Sequence, residues 1–225
     1  MTPSDARQHM VDCQLLPAGI YNEHIIAVMG AVPREVFLPE DLAHVAYLDE
    51  DVSYASGRVL MEPQIFGLML QALAPQPEEV VLDIGGGTGY SAAVFSHFVQ
   101  TVIALEEGND ALREAALKNW HELELFNISE EQGAVTAGLP DNAPYDMIFL
   151  GGAVSEIPRA LVKQLHPKTG RMAVVVRSNA HAPGQAYLVK PQDDIEDGDF
   201  SCHPLFDANV PYLKEFEPKE SFAFA

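Results

Sequence analysis

The stretch Val80-Val81-Leu82-Asp83-Ile84-Gly85-Gly86-Gly87-Thr88-Gly89-Tyr90 decides how the chain is read. Val80 to Ile84 is apolar apart from Asp83, which suits a buried strand, and the glycines that follow break it with a tight turn. Helical composition resumes at Tyr90. A strand that enters a helix through such a turn leaves backbone N–H groups free at the helix start. Glycines let a ligand approach them without meeting a Cβ.

Spacing narrows the reading. Gly85, Gly87 and Gly89 follow G-x-G-x-G and not the G-x-G-x-x-G of a dinucleotide turn, and an acid, Asp83, precedes the first glycine by two. Downstream, Thr101-Val102-Ile103-Ala104-Leu105-Glu106 reads as the next parallel strand and ends in an acid. For these residues alone a dinucleotide site, or a turn with no ligand, remains open. The whole order resembles motif I of the class I S-adenosylmethionine-dependent methyltransferases. That resemblance implies a backbone cradle for the methionine part of the cofactor, Asp83 near its cationic amine and sulfonium, and Glu106 accepting from both ribose hydroxyls. The expected cofactor residues are Asp83, Gly85, Gly86, Gly87, Thr88, Gly89, Glu106 and Glu107, with Gly133, Ala134 and Gly151 from later loops.

The expected fold is α/β, a doubly wound Rossmann-like, mostly parallel sheet with an N-terminal helical extension, because strand and helix patterns alternate from Val80 onward. In such sheets ligands bind beyond the carboxyl ends of the strands near the switch point. This would line up the glycine turn, Glu106, the Gly133-Ala134 loop and the Gly151-Gly152-Ala153 loop on one rim, the last two flanking adenine and the transferred methyl.

Ser4 to Leu16 is helical, with Ser4 as N-cap; Asn22 caps a second helix that ends near Gly30. Val32 to Pro39 is a turn between prolines, Ala46 to Asp51 a loop, and Pro63 opens an apolar helix through Leu73. Asp110 to Glu124 is an amphipathic helix with Trp120 as a core anchor. Gly133-Ala134-Val135 is a weak third strand, Tyr145 to Leu150 a fourth, Ile157 to Leu165 a helix and Gly170 to Val176 a fifth strand. Gln185 to Val189 and Pro204 to Phe206 are edge strands around a solvated acidic loop (Asp193, Asp194, Glu196, Asp197, Asp199).

Bulk properties set outer limits. A chain of 225 residues with 48% hydrophobic content is expected to form a single domain, 1–225: N-terminal helices and substrate side over 1–75, cofactor core over 76–190, edge segment over 191–225. No run approaches a membrane span and the start lacks a signal-peptide pattern, so a soluble, cytoplasmic protein is expected. Lys and Arg total 13 against 33 Asp and Glu, a net charge of −20, which argues against nucleic-acid and membrane partners. Cys13 and Cys202 are read as free thiols, the histidines as structural, and no metal is expected. Oligomeric state is not legible.

The N-terminal third adds a narrower resemblance. Ala31-Val32-Pro33-Arg34-Glu35-Val36-Phe37-Leu38-Pro39, Ala46-Tyr47-Leu48-Asp49, Pro63 with its helix, the glycine stretch, Ala143-Pro144-Tyr145-Asp146-Met147-Ile148 and Glu156-Ile157-Pro158-Arg159-Ala160-Leu161 occur in the order seen in the protein-L-isoaspartate O-methyltransferase family. The similarity runs from about Ile25 to Val176. It implies methyl transfer from S-adenosylmethionine to the α-carboxylate of an isoaspartyl residue in a protein or peptide; the ester then collapses to a succinimide, which begins repair. One departure stands out. Where the family carries a hydroxyl in I-S-x-P, this chain has Arg58-Val59-Leu60-Met61-Glu62-Pro63. The Met61 thioether donates no hydrogen bond, and Glu62 would repel an anionic substrate. Arg58 is expected to pair either with substrate or with Glu62. Met61, Glu62 and Arg58 are the candidate catalytic-side positions. The alternative function is a cofactor-binding homologue with a changed acceptor or no transfer activity.

Overall fold

The computed structural model describes residues 2–55, 57–179, 181–192 and 199–218. Its elements are α1 (Pro3–Met10), α2 (Glu23–Ala31), β1 (Val52–Ala55), β2 (Arg58–Leu60), α3 (Pro63–Leu73), β3 (Val80–Ile84), α4 (Tyr90–Phe95), β4 (Thr101–Glu106), α5 (Asp110–Glu122), β5 (Ile128–Gln132), β6 (Met147–Val154), α6 (Arg159–Val162), β7 (Arg171–Val176), β8 (Gln185–Pro191) and β9 (Phe200–Asp207). The main sheet has the order β5-β4-β3-β6-β7-β8-β9. Pairings from β5 to β7 are parallel, and β8 and β9 close the sheet as antiparallel strands. The doubly wound expectation holds, with the strand order reversing between β3 and β6.

Both faces of the central strands are buried, as a parallel sheet requires. Val81, Met147, Phe149, Ala173 and Val175 point into one core, and Leu82, Ile84, Ile148, Leu150, Met172 and Val174 into the other. The first core is dominated by rings. Phe66 of α3 lies 5.5 Å from Tyr90, 6.2 Å from Phe95 and 5.5 Å from Phe149, centroid to centroid. Asp83 shares the face of Val81, so its carboxyl enters this core near the glycine turn.

Several boundaries differ from expectation. The N-cap of α1 is Thr2, not Ser4: Pro3 suits the first helical position, and Thr2 and Asp5 form a reciprocal capping box. α2 passes through Gly30 and stops before Pro33, which holds Val32 in an extended conformation. The third parallel strand is Ile128–Gln132 and not Gly133 to Val135. It is a half-exposed edge strand, and its Ser-Glu-Glu-Gln content hid it. β6 does not end at Leu150; it continues through Gly151 and Gly152 to Val154 with a bulge. The expected helix to Leu165 is a single turn, α6, because Leu165 bridges to Tyr145. Of the acidic loop, Asp199 pairs with Arg159 at 3.3 Å; 193–198 lie outside the described residues. Cys13 and Cys202 are free and exposed.

Candidate cofactor and substrate site

The glycine turn sits where β3 stops and α4 begins. Gly87 (φ +59°) and Gly89 (φ +92°) occupy the left-handed region, and neither has room for a side chain. A Cβ on Gly89 would stand 2.5 Å from the Trp120 ring, while one on Gly87 would strike the Tyr54 hydroxyl. Trp120 donates from Nε1 to the Gly89 carbonyl at 2.9 Å, so the core anchor read from sequence also fixes the turn.

Asp83 is 1% exposed. Ser91 Oγ donates to its Oδ2 at 2.6 Å, and its Oδ1 has no hydrogen-bond partner. Burial pushes the carboxyl up to about 7; the Ser91 hydrogen bond opposes that rise and the charge of Glu106 adds to it. A carboxyl raised this far would be drawn to its charged form by a cation placed beside it.

Glu106, at the end of β4, is engaged on every side. Its Oε2 accepts from Gly87 N at 3.0 Å and its Oε1 from Glu107 N at 3.0 Å. Arg58 adds Nε at 2.8 and 3.0 Å and a close contact from Nη2. Glu107 turns the other way and accepts from Val135 N at 2.9 Å, which ties β4 to the loop after β5. In that loop Gly133 N donates to Glu106 O at 3.2 Å, and Ala134 is exposed. Gly151 lies within β6 so close to the turn that a Cβ would stand 2.7 Å from Gly85 O. The expected cofactor residues therefore do converge on one rim. Two of them face elsewhere: the Glu107 carboxylate accepts from Val135 N, and the Thr88 hydroxyl donates inward to the Phe37 carbonyl.

On the other side of the turn, Met61 is buried and faces a small cavity shared with Tyr54, Phe66, Tyr90, Ser91 and Gly151. Its carbonyl accepts from the buried Arg34 at 2.7 Å. Glu62 bonds to Gln64, and burial followed by the nearby charges of Asp49 and Asp51 raises its pKa. Arg58 does not pair with Glu62. It is 3% exposed and reaches Glu106 on one side and Glu215, at 3.0 Å, on the other.

Three neighbours of the site were not singled out from sequence. Tyr54 accepts from Thr88 N at 3.0 Å, Leu213 packs on Gly85 and Gly152, and Glu215 holds Arg58. The first had a signal: Val52-Ser53-Tyr54-Ala55 and Arg58-Val59-Leu60 flank a Ser-Gly pair, a hairpin pattern, and β1 and β2 are that hairpin. Leu213 and Glu215 had none. The donor set suits S-adenosylmethionine: a buried acid with a free oxygen for the cation, a strand-end carboxylate for the diol, and a turn of glycines between them. Its space is taken up by the chain's own side chains. The two cavities beside the turn measure about 20 Å³ each, room for a water.

Residues 6–200 match the family model for protein-L-isoaspartate(D-aspartate) O-methyltransferase. A protein-L-isoaspartate O-methyltransferase of Herpetosiphon aurantiacus is 39% identical over 160 residues, 71% of each chain. One of Methylorubrum extorquens is 40% identical over 173 residues, 77% of this chain and 75% of the relative. A solved protein-L-isoaspartate O-methyltransferase superposes with a TM-score of 0.77 at 26% identity, over 94% of this chain and 67% of that one. The chain belongs to the protein-L-isoaspartate(D-aspartate) O-methyltransferase family and is an S-adenosylmethionine-dependent methyltransferase of that type.

Proposed function

We propose that the rim formed by the carboxyl ends of β3, β4 and β6 is where this chain carries out its family's reaction on isoaspartyl residues of damaged proteins and peptides. S-adenosylmethionine, when bound, supplies an activated methyl on a sulfonium. The chain's residues hold and orient. Asp83 offers a carboxylate to the cationic end, Glu106 offers acceptors to the ribose hydroxyls, and Gly85, Gly86, Gly87, Thr88 and Gly89 form the floor between them. Gly133, Ala134 and Glu107 border the adenine side, and Gly151 borders the methyl. Met61, Glu62 and the hairpin that carries Arg58 line the acceptor side.

The chemistry asks for little proton transfer, because the acceptor carboxylate is already a nucleophile. Positioning and exclusion of water therefore carry the rate. The observation behind the reading is that two acids on adjacent parallel strands, Asp83 and Glu106, bracket a glycine turn at the point where strand order reverses. We take the chain to work as one methyltransferase domain. We place it in the cytoplasm, where exposed thiols such as Cys13 and Cys202 stay reduced; no helix among the described residues is long and apolar enough to cross a membrane.

Calorimetric titration with S-adenosylhomocysteine tests the site. Asp83→Ala and Glu106→Ala should each weaken binding at least about tenfold, the worth of one charge-assisted contact. Wild-type affinity in both variants would move the cofactor elsewhere.

A further inference from the structure

We infer that the cofactor site of this chain is shut by an internal ionic latch, Arg58 clamped between Glu106 and Glu215, and that cofactor binds only after Arg58 lets go of Glu106. The inference rests on the reading of the rim as a cofactor site and adds a closed state to it.

Saturation is the first ground. A carboxylate has about four lone-pair directions, and those of Glu106 are met by Gly87 N, Glu107 N and the Nε and Nη2 of Arg58. No acceptor is left for a diol. The guanidinium is equally committed: Nε and Nη2 to Glu106, Nη1 to the Gly57 carbonyl at 2.8 Å, and Nη1 and Nη2 to Glu215 at 3.0 and 3.2 Å. Arg58 and a ribose therefore compete for one carboxylate.

Two further side chains close the same space. Tyr54, from the same hairpin as Arg58, places its hydroxyl over Gly87 and takes the Thr88 N–H at 3.0 Å. Leu213 packs on the turn at Gly85, within 2.6 Å of where a Gly85 Cβ would stand. Leu213 belongs to a strap laid along β6, fixed by Ala153 N to Pro211 O at 2.8 Å, Leu213 N to Ala153 O at 2.9 Å and Ser155 N to Phe216 O at 3.1 Å. Glu215 is on this strap. What remains beside the turn is about 20 Å³ on each side, against the roughly 300 Å³ or more of a ligand pocket.

The parts that close the site are separable from the parts that make it. The strap lies beyond residue 200, where the family match ends. Its outer face borders an open cleft of about 410 Å³, lined by Glu156, Arg159 and Glu215 among others, so the strap has room to move outward. The latch is a buried ion pair, which resists opening because a lone partner would be left uncompensated. Cofactor can offset that loss by bringing its own donors to Glu106. Apparent affinity then equals intrinsic affinity reduced by the fraction of open molecules.

The test is calorimetric titration of S-adenosylhomocysteine into wild type, Arg58→Ala, Glu215→Gln and Glu106→Gln, with amide hydrogen exchange of 52–60 and 209–217 measured with and without ligand. Arg58→Ala should bind roughly ten- to hundredfold more tightly than wild type, as expected if the open form is a minor state of about 1–10 per cent. Glu215→Gln, changed at the more exposed partner, should shift affinity in the same direction by less, and it keeps the test alive if Arg58→Ala does not fold. Glu106→Gln should bind more weakly, because it removes the acceptor along with the latch; a general loosening of structure would not give opposite signs. Ligand should speed exchange in the hairpin and strap of wild type. Wild-type binding that Arg58→Ala and Glu215→Gln leave unchanged or weaken would overturn the latch while leaving the site standing. No binding by any folded variant would overturn the cofactor reading itself, and the latch with it.

Discussion

Asp83 shows how one residue can be legible in type and not in state. Its position two before the first glycine marked it as a ligand-facing acid, but only the packed structure shows Oδ1 without a partner and the carboxyl held at about 7 by burial. The folded chain binds this proton more tightly than the unfolded chain, whose carboxyl titrates near 3.8. The contribution of Asp83 to stability is therefore greatest below that value and is lost as pH rises toward about 7. Asp83→Asn carries no such penalty. Its melting temperature minus that of wild type should grow as pH goes from about 4 to about 8, and a difference flat across that range would mean Asp83 is ionised throughout. Glu106 was legible for the same reason, as a strand-end acid. Its partner was not, since Arg58 is 48 positions away and nothing local links them. Glu215, 157 positions from Arg58, was further still from reach.

At the scale of elements, strands with two buried faces announced themselves and half-exposed ones did not. Val80–Ile84 and Arg171–Val176 are strands of the first kind, and Thr101–Glu106, although partly exposed at Thr101, Ile103 and Ala104, carries an apolar run from Val102 to Leu105. β5 was missed because an edge strand needs few apolar residues, and the β1–β2 hairpin because its strands are short. That hairpin carries Tyr54 and Arg58, so the missed element is the one that governs access to the site. The element that supports the site is α3. Phe66, wholly buried among Tyr90, Phe95 and Phe149, joins α3 to α4 and β6. Phe66→Ala should cost about 3–5 kcal/mol in urea unfolding with the slope unchanged. A loss below about 1 kcal/mol would show that the ring cluster adjusts around the gap and does not hold the turn in place.

For the whole molecule, the doubly wound fold was within reach of the sequence because hydrophobic period encodes it locally, and the family because the Val32-Pro33-Arg34-Glu35-Val36-Phe37 run and its companions resemble that family in order. The closed state was not, because it depends on three segments meeting: the hairpin, the glycine turn and the strap past residue 200. The departure at Met61 also takes on its meaning only at this scale. Met61 is buried against the cavity beside Tyr90 and Gly151; on the proposed reading, where this is the acceptor side of the turn, its thioether cannot replace the family's hydroxyl as a donor. Hydroxyls of other residues line the same cavity, Tyr54, Tyr90 and Ser91, and that of Tyr90 is buried without a hydrogen-bond partner. The most direct measurement is transfer of labelled methyl from S-adenosylmethionine to an isoaspartyl peptide, beside the same peptide with ordinary aspartate. Base-labile label on the isoaspartyl peptide alone is the expected result. No label on either peptide, from protein shown in the same tube to bind S-adenosylhomocysteine, would contradict the account.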